Sequence, residues 1–106
     1  MEVLKLDNFT KGWVVGDFDP SIIRTKEFEV CVKHYEAGDA EDAHVHKIAK
    51  EITIINEGVY EMNGTRLEKG DIVVLEPGES AWFKCIEGGS NTVIKMPSVI
   101  GDKYPV

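Results

Sequence analysis

At 106 residues the chain has room for one domain with its own core and too little for two ordinary ones. Apolar residues make up 42% of it and charged residues 29%, which excludes a disordered segment, and no apolar run has the length that a bilayer requires. A net charge of −7, with lysines scattered rather than clustered, leaves no footprint for a phosphate backbone, so neither nucleic acid nor a membrane is an expected partner.

The opening stretch, MEVLKLDNFTKGW, lacks the basic start and apolar centre of a secretory signal, and a cytoplasmic location is the expectation. Cys31 and Cys85 lie far apart without CxxC spacing, which suits two reduced thiols better than a disulfide. No stretch keeps apolar residues at i, i+3, i+4 and i+7 over three turns, whereas short runs of Val, Ile, Phe and Tyr recur between turn formers. The reading is all-β. Val3 to Leu6 is a candidate first strand, and Gly16 to Ser21 is a loop in which Pro20 cannot donate to a ladder. Residues up to about 25 form an N-terminal arm, residues from about 27 to 97 the core of the domain, and the remainder a short C-terminal tail.

Ile22 to Tyr35 alternates over its second half. Phe28, Val30, Val32 and His34 share one face, and Glu27, Glu29, Cys31, Lys33 and Tyr35 the other. The apolar set is expected to face the interior and to carry His34 inward with it. Glu51 to Asn56, EITIIN, and Ile72 to Leu75, IVVL, do not alternate, as expected of strands covered on both faces, and a second subunit would supply the outer cover. Asn63-Gly64 has the composition of a two-residue hairpin turn, and Pro77-Gly78 and Gly88 to Asn91 mark two more reversals. Seven to nine short strands joined by close turns imply a sandwich or small barrel, because a parallel sheet would need crossover helices.

The stretch from Gly38 to Gly58 carries the chemistry. His44 and His46 are two residues apart, so a strand turns both imidazoles to one side, and Glu51 can join them from the next strand across a short turn. Two imidazoles and a carboxylate suit Fe(II), Mn, Zn, Ni or Cu and leave coordination positions open. A bare HxH beside the acidic residues Asp39, Glu41 and Asp42 would instead read as two surface histidines.

The full spacing goes further. Gly38, five residues, His44, one residue, His46, four residues, Glu51, six residues and Gly58 match the first motif of the cupin superfamily at every defining position. The second motif is half kept: Gly70 and Gly78 are in place, Glu76 stands where a proline is expected with Pro77 beside it, Ala81 at the histidine position and Cys85 at the asparagine position. The chain thus resembles a small single-domain cupin over about residues 27 to 96. The resemblance implies a double-sheet jelly-roll barrel with an internal pocket, often a homodimer.

It also implies one divalent metal ion (Fe, Mn, Zn or Ni) held by His44, His46 and Glu51, while Ala81 supplies no fourth ligand. The expected function is binding or transforming a small polar molecule, with two rivals: a metal-free isomerase or epimerase in which the histidines move protons, and a non-catalytic ligand-binding barrel. Alternation places Ala81, Phe83 and Cys85 on one face as further pocket-lining candidates. Cys85 could serve as a soft ligand or a small apolar filler, and His34 as a pocket acid/base or a hydrogen-bonded core histidine.

Overall fold

The computed structural model describes residues 1–106. Its strands are Trp13–Val15 (β1), Glu29–Tyr35 (β2), Ala40–Val45 (β3), Lys50–Met62 (β4), Thr65–Leu67 (β5), Ile72–Leu75 (β6), Ser80–Met96 (β7) and Tyr104–Pro105 (β8). Two 3-10 turns, Leu6–Asn8 and Thr10–Gly12, precede them. The strand expected at Val3 to Leu6 does not form: Val3 and Leu4 are exposed, and no neighbour offers them a ladder. No helix is long and apolar enough to cross a membrane.

β4 and β7 each serve two sheets. The first half of β4 pairs with the second half of β7, and with β1, β2 and β6 they form an antiparallel sheet in the order β1-β2-β7-β4-β6. Their other halves pair again, and with β3, β5 and β8 they form a second sheet, β8-β3-β7-β4-β5. Two facing sheets joined by shared strands make the double-sheet jelly roll.

The reversal expected at Gly88 to Asn91 is instead a corner inside β7. A Cβ on Gly89 would collide with the Glu57 carbonyl, and one on Gly58, whose φ is +98°, would collide with that of Glu87. The register of β4 against β7 shifts between Ile55 and Tyr60, where the paired strands cross from one sheet to the other. Glycine announces close backbone approach, and close approach serves a crossing as well as a turn. Asn63-Gly64 does turn: both residues have positive φ, 50° and 82°, and Met62 pairs with Thr65 across a two-residue loop.

The orientation of β2 is the reverse of the one expected. Glu29 and Cys31 are buried and Lys33 and Tyr35 face the interior with them, opposite Lys95, Val93, Asn91 and Gly89 of β7. His34 points the other way and is exposed, beside Leu6 and Phe9 of the arm. Alternation separates two faces without saying which is inside, and here the inner face lines a polar chamber while the apolar one looks outward.

The apolar core sits in the second sheet's half of the barrel, around Ile55, Tyr60, Met62, Phe83 and Cys85. Tyr60 stacks on Phe83 with ring centroids 5.1 Å apart, and Tyr35 packs edge-on against Tyr60 at 5.8 Å. The Tyr60 hydroxyl donates to the Glu57 carbonyl at 2.8 Å, and burial pushes its pKa up to about 12. Cys31 and Cys85 are free, buried thiols, and burial raises the pKa of Cys31 to about 11.

Candidate functional site

Against that core, between the sheets, lies a chamber with mostly polar walls. His44 is the last residue but one of β3, and His46, just past its end, follows it to the same side. Their rings lie 5.2 Å apart and nearly perpendicular. Glu51, the second residue of β4, arrives across the Lys47–Ala49 loop and brings its Oε2 to 2.8 Å from His46 Nε2. All three line one chamber of about 50 Å³ between the sheets.

The loop is held by a residue with no motif around it. The carboxylate of Asp102 accepts hydrogen bonds from the backbone N–H groups of Lys47, Ile48 and Ala49 at 2.9 to 3.3 Å. Its carbonyl oxygen is bonded to Nδ1 of His46. A carbonyl can only accept, so Nδ1 carries a proton, and Nε2 on the other side of the ring is turned to the Glu51 carboxylate. No spacing in the sequence links residue 102 to residue 46. β8 pairs with β3, His44 opposite Pro105 and Val45 opposite Tyr104, and this pairing lays the tail beside the loop.

The Glu51 carboxylate is the main reason the His46 imidazole sits above its usual pKa, against burial, which pulls it down. Burial pushes Glu51 up, but His46, Lys95 and His44 together outweigh it and leave the acid below its ordinary value. The 2.8 Å approach is not aligned as a hydrogen bond. Two buried side-chain atoms in the molecule lack a hydrogen-bond partner, His46 Nε2 and Asn91 Oδ1, and both residues line this chamber. Unsatisfied buried polar atoms are costly, and two of them in one cavity are what a ligand-binding site leaves unfilled.

As the side chains stand, no three His, Cys, Asp or Glu donors are arranged around a common point as a metal site. His44 Nδ1 is bonded to the Asp42 carbonyl at 3.0 Å. The donor set nonetheless fits a divalent ion in chemistry: an imidazole fixed through its other nitrogen, a buried carboxylate beside it, and a second imidazole on the same wall.

Of the further residues expected at the pocket, Phe83 lies on the chamber wall. Ala81 stands directly opposite His44 across β3 and β7, where its methyl group offers no donor. Ala81 and Cys85 share the inward face of Phe83 but pack into the core, and burial raises the Cys85 thiol pKa, which disfavours the thiolate a metal would need. His34, on the opposite face of β2, takes no part in the chamber. Sequence reasoning missed Asp102, Asn91, Lys33 and Lys95. The last three became visible only once β2 was seen to turn its charged face inward.

No protein-family model matches the chain, and no curated protein matches it in sequence. Solved structures do. An uncharacterized conserved protein with a double-stranded β-helix domain from Klebsiella pneumoniae superposes with a TM-score of 0.69 at 21% identity, covering 93% of this chain and 87% of that one. An RmlC-like cupin from Shewanella frigidimarina gives 0.63 at 20%, covering 73% and 71%. The chain has the cupin fold. Oxalate decarboxylase from Bacillus subtilis, a protein with Mn(II) centres, gives 0.67 at 13% identity over 76% of this chain and 24% of that larger one. Beside the chamber, this cupin barrel has a wider cleft of about 300 Å³ between arm and tail, and the two cavities share a wall of Trp13, Lys95 and Lys103.

Proposed function

We propose that this cupin barrel holds one divalent metal ion (Fe, Mn, Zn or Ni) on His44, His46 and Glu51 and binds or transforms a small polar molecule that reaches it from the adjoining cleft. The observation that carries the reading is the buried Nε2 of His46, oriented through Nδ1 by Asp102 and held 2.8 Å from the Glu51 carboxylate. Once bound, such an ion polarises a ligand oxygen or activates dioxygen. The chain's own residues do the rest: Asp102 keeps His46 in the tautomer that offers Nε2, Glu51 supplies negative charge, and Phe83 and Met62 form the apolar part of the wall. Ala81 in place of a fourth donor leaves an extra position for the ligand at the cost of metal affinity.

A second reading has its own support. Without a metal, His46 and Glu51 in contact at 2.8 Å form an acid/base pair able to move a proton on a bound substrate. His34 cannot be its partner, being outside the chamber. Metal content separates the two. Protein stripped with chelator and reloaded with Fe(II), Mn, Zn or Ni is expected to retain about one equivalent, and His46→Ala to retain none; equal retention by both removes the metal reading.

We further propose that the protein acts as a homodimer in the cytoplasm. The first support is an apolar outer face on the first sheet, where Val30, Ile94, Ile52 and Val74 form one cross-strand row with Ile54 and Ile72 next to it. Two unpaired buried thiols suit a reducing compartment.

A further inference from the structure

Three lysines, Lys33, Lys95 and Lys103, line the chamber beside two carboxylates, Glu41 and Glu51. Lys33 and Lys95 line it from β2 and β7, and both are largely buried along their side chains. Lys33 Nζ is 3.9 Å from Glu41 and Lys95 Nζ 3.7 Å from Glu29, beyond hydrogen-bond distance, so neither ammonium has a short carboxylate partner. Both ammoniums hang over the Trp13 ring, at 5.6 and 5.1 Å from its centroid, and the ring stands in the wall shared with the wider cleft. Lys95 is also the direct cross-strand neighbour of Glu51, which places it beside the proposed metal ligand. Opposite Lys33 in register, and on the same strand and wall as Lys95, lies Asn91, 1% exposed, whose Oδ1 lacks a donor.

We propose that Lys33, Lys95, Asn91 and Trp13 form a binding site for a small hydroxycarboxylate. The two ammoniums take the carboxylate, the Trp13 ring covers them from the cleft side, and Asn91 Oδ1 accepts a hydrogen bond from the hydroxyl. Two ammoniums held only by long ion pairs offer an anion a closer contact than their own carboxylates make, and an orphaned acceptor offers a place for a donor. One small molecule carrying both groups answers both requirements within a chamber of about 50 Å³. The site deepens the proposed function by naming its ligand class. It rests on the chamber being the reacting site and not on the identity, or presence, of a metal.

The test uses Trp13 fluorescence in a Trp82→Phe background, because Trp82 lies on the outward face of β7. Glycolate, acetate and inorganic phosphate are titrated into chelator-treated protein and into protein loaded with Mn(II). Glycolate is expected to change the emission saturably in both, and to bind about ten-fold more weakly to Lys33→Met and Lys95→Met. Acetate is expected to bind several-fold more weakly than glycolate, and that difference to vanish in Asn91→Ala. Lys95→Met leaves Glu29 without its cation, so if that variant melts early, Lys33→Met, whose Glu41 partner is reached from Lys103 as well, carries the comparison. Phosphate binding as tightly as glycolate, or Lys33→Met binding glycolate like its parent, overturns the proposal. Metal uptake with no glycolate response removes this site alone; lysine-dependent glycolate binding in protein that takes up no metal removes the metal reading alone.

Discussion

Three consecutive backbone N–H groups, from Lys47 to Ala49, end on one carboxylate, and the imidazole that follows β3 ends on the carbonyl of the same residue, Asp102. Hydrogen bonds to a buried charge contribute more than neutral ones, so Asp102→Ala is expected to destabilise the fold by about 2 kcal/mol in denaturant titration. It is also expected to weaken metal uptake by about ten-fold or more, since His46 loses its orienting partner. The same residue sets an acid limit. Burial pushes the Asp102 carboxyl up, but the N–H donors of Ala49, Lys47 and Ile48 outweigh it and hold the pKa below the usual carboxylate value. A folded pKa below the unfolded one means the contribution is complete above about pH 4, the unfolded value, and is lost as pH falls through the folded one. Calorimetry between about pH 2 and 6 is expected to show a shallower fall of Tm on acidification in Asp102→Asn than in the parent. An unchanged slope would show that other carboxylates govern acid unfolding.

Among the elements, β2 is the most instructive. Its period of two was plain in the sequence, yet the choice of inner face was inverted, because Val30 and Val32 look like core and Lys33 and Glu29 do not. The inner face of this sheet builds a chamber, which selects for charge, and the apolar face is left outside. The unalternating runs EITIIN and IVVL, expected to be covered on both faces, leave an apolar outer face exposed in the single chain: Ile72 is 61% exposed and Val74 47%, in register with Ile54 and Ile52. If a second copy covers them, Ile72→Lys together with Val74→Lys is expected to convert a dimer to a folded monomer in sedimentation equilibrium, with unchanged circular dichroism. A parent that sediments as a monomer would remove the dimer.

For the molecule as a whole, the long shared strands decide how it folds. β7 holds β2, β3 and β4 at once, and pairs such as Glu29 with Lys95 join distant parts of the chain. Non-local antiparallel pairing delays the favourable contacts until large loops have closed. Refolding is expected on a timescale of about milliseconds to seconds, with Trp fluorescence and far-UV circular dichroism following one transition. The arm and the tail close over the chamber from opposite ends of the sequence, Trp13 from one and Asp102 from the other, and so should fold with the barrel. An early separate loss of the fluorescence signal on heating would show that they do not.

Local chemistry was enough to make this chain an all-β barrel with a hairpin at Asn63-Gly64 and to set His44, His46 and Glu51 at one place, because strand period and turn preference act over a few residues. What surrounds those three was decided by pairing between strands far apart in the chain. Register against β7 turned Lys33, Asn91 and Lys95 into the chamber, the pairing of β8 with β3 delivered Asp102 to the histidine, and packing on the other side of β2 left His34 outside. A side chain's neighbours across a sheet are fixed by register, and register is a property of the closed barrel rather than of any one stretch.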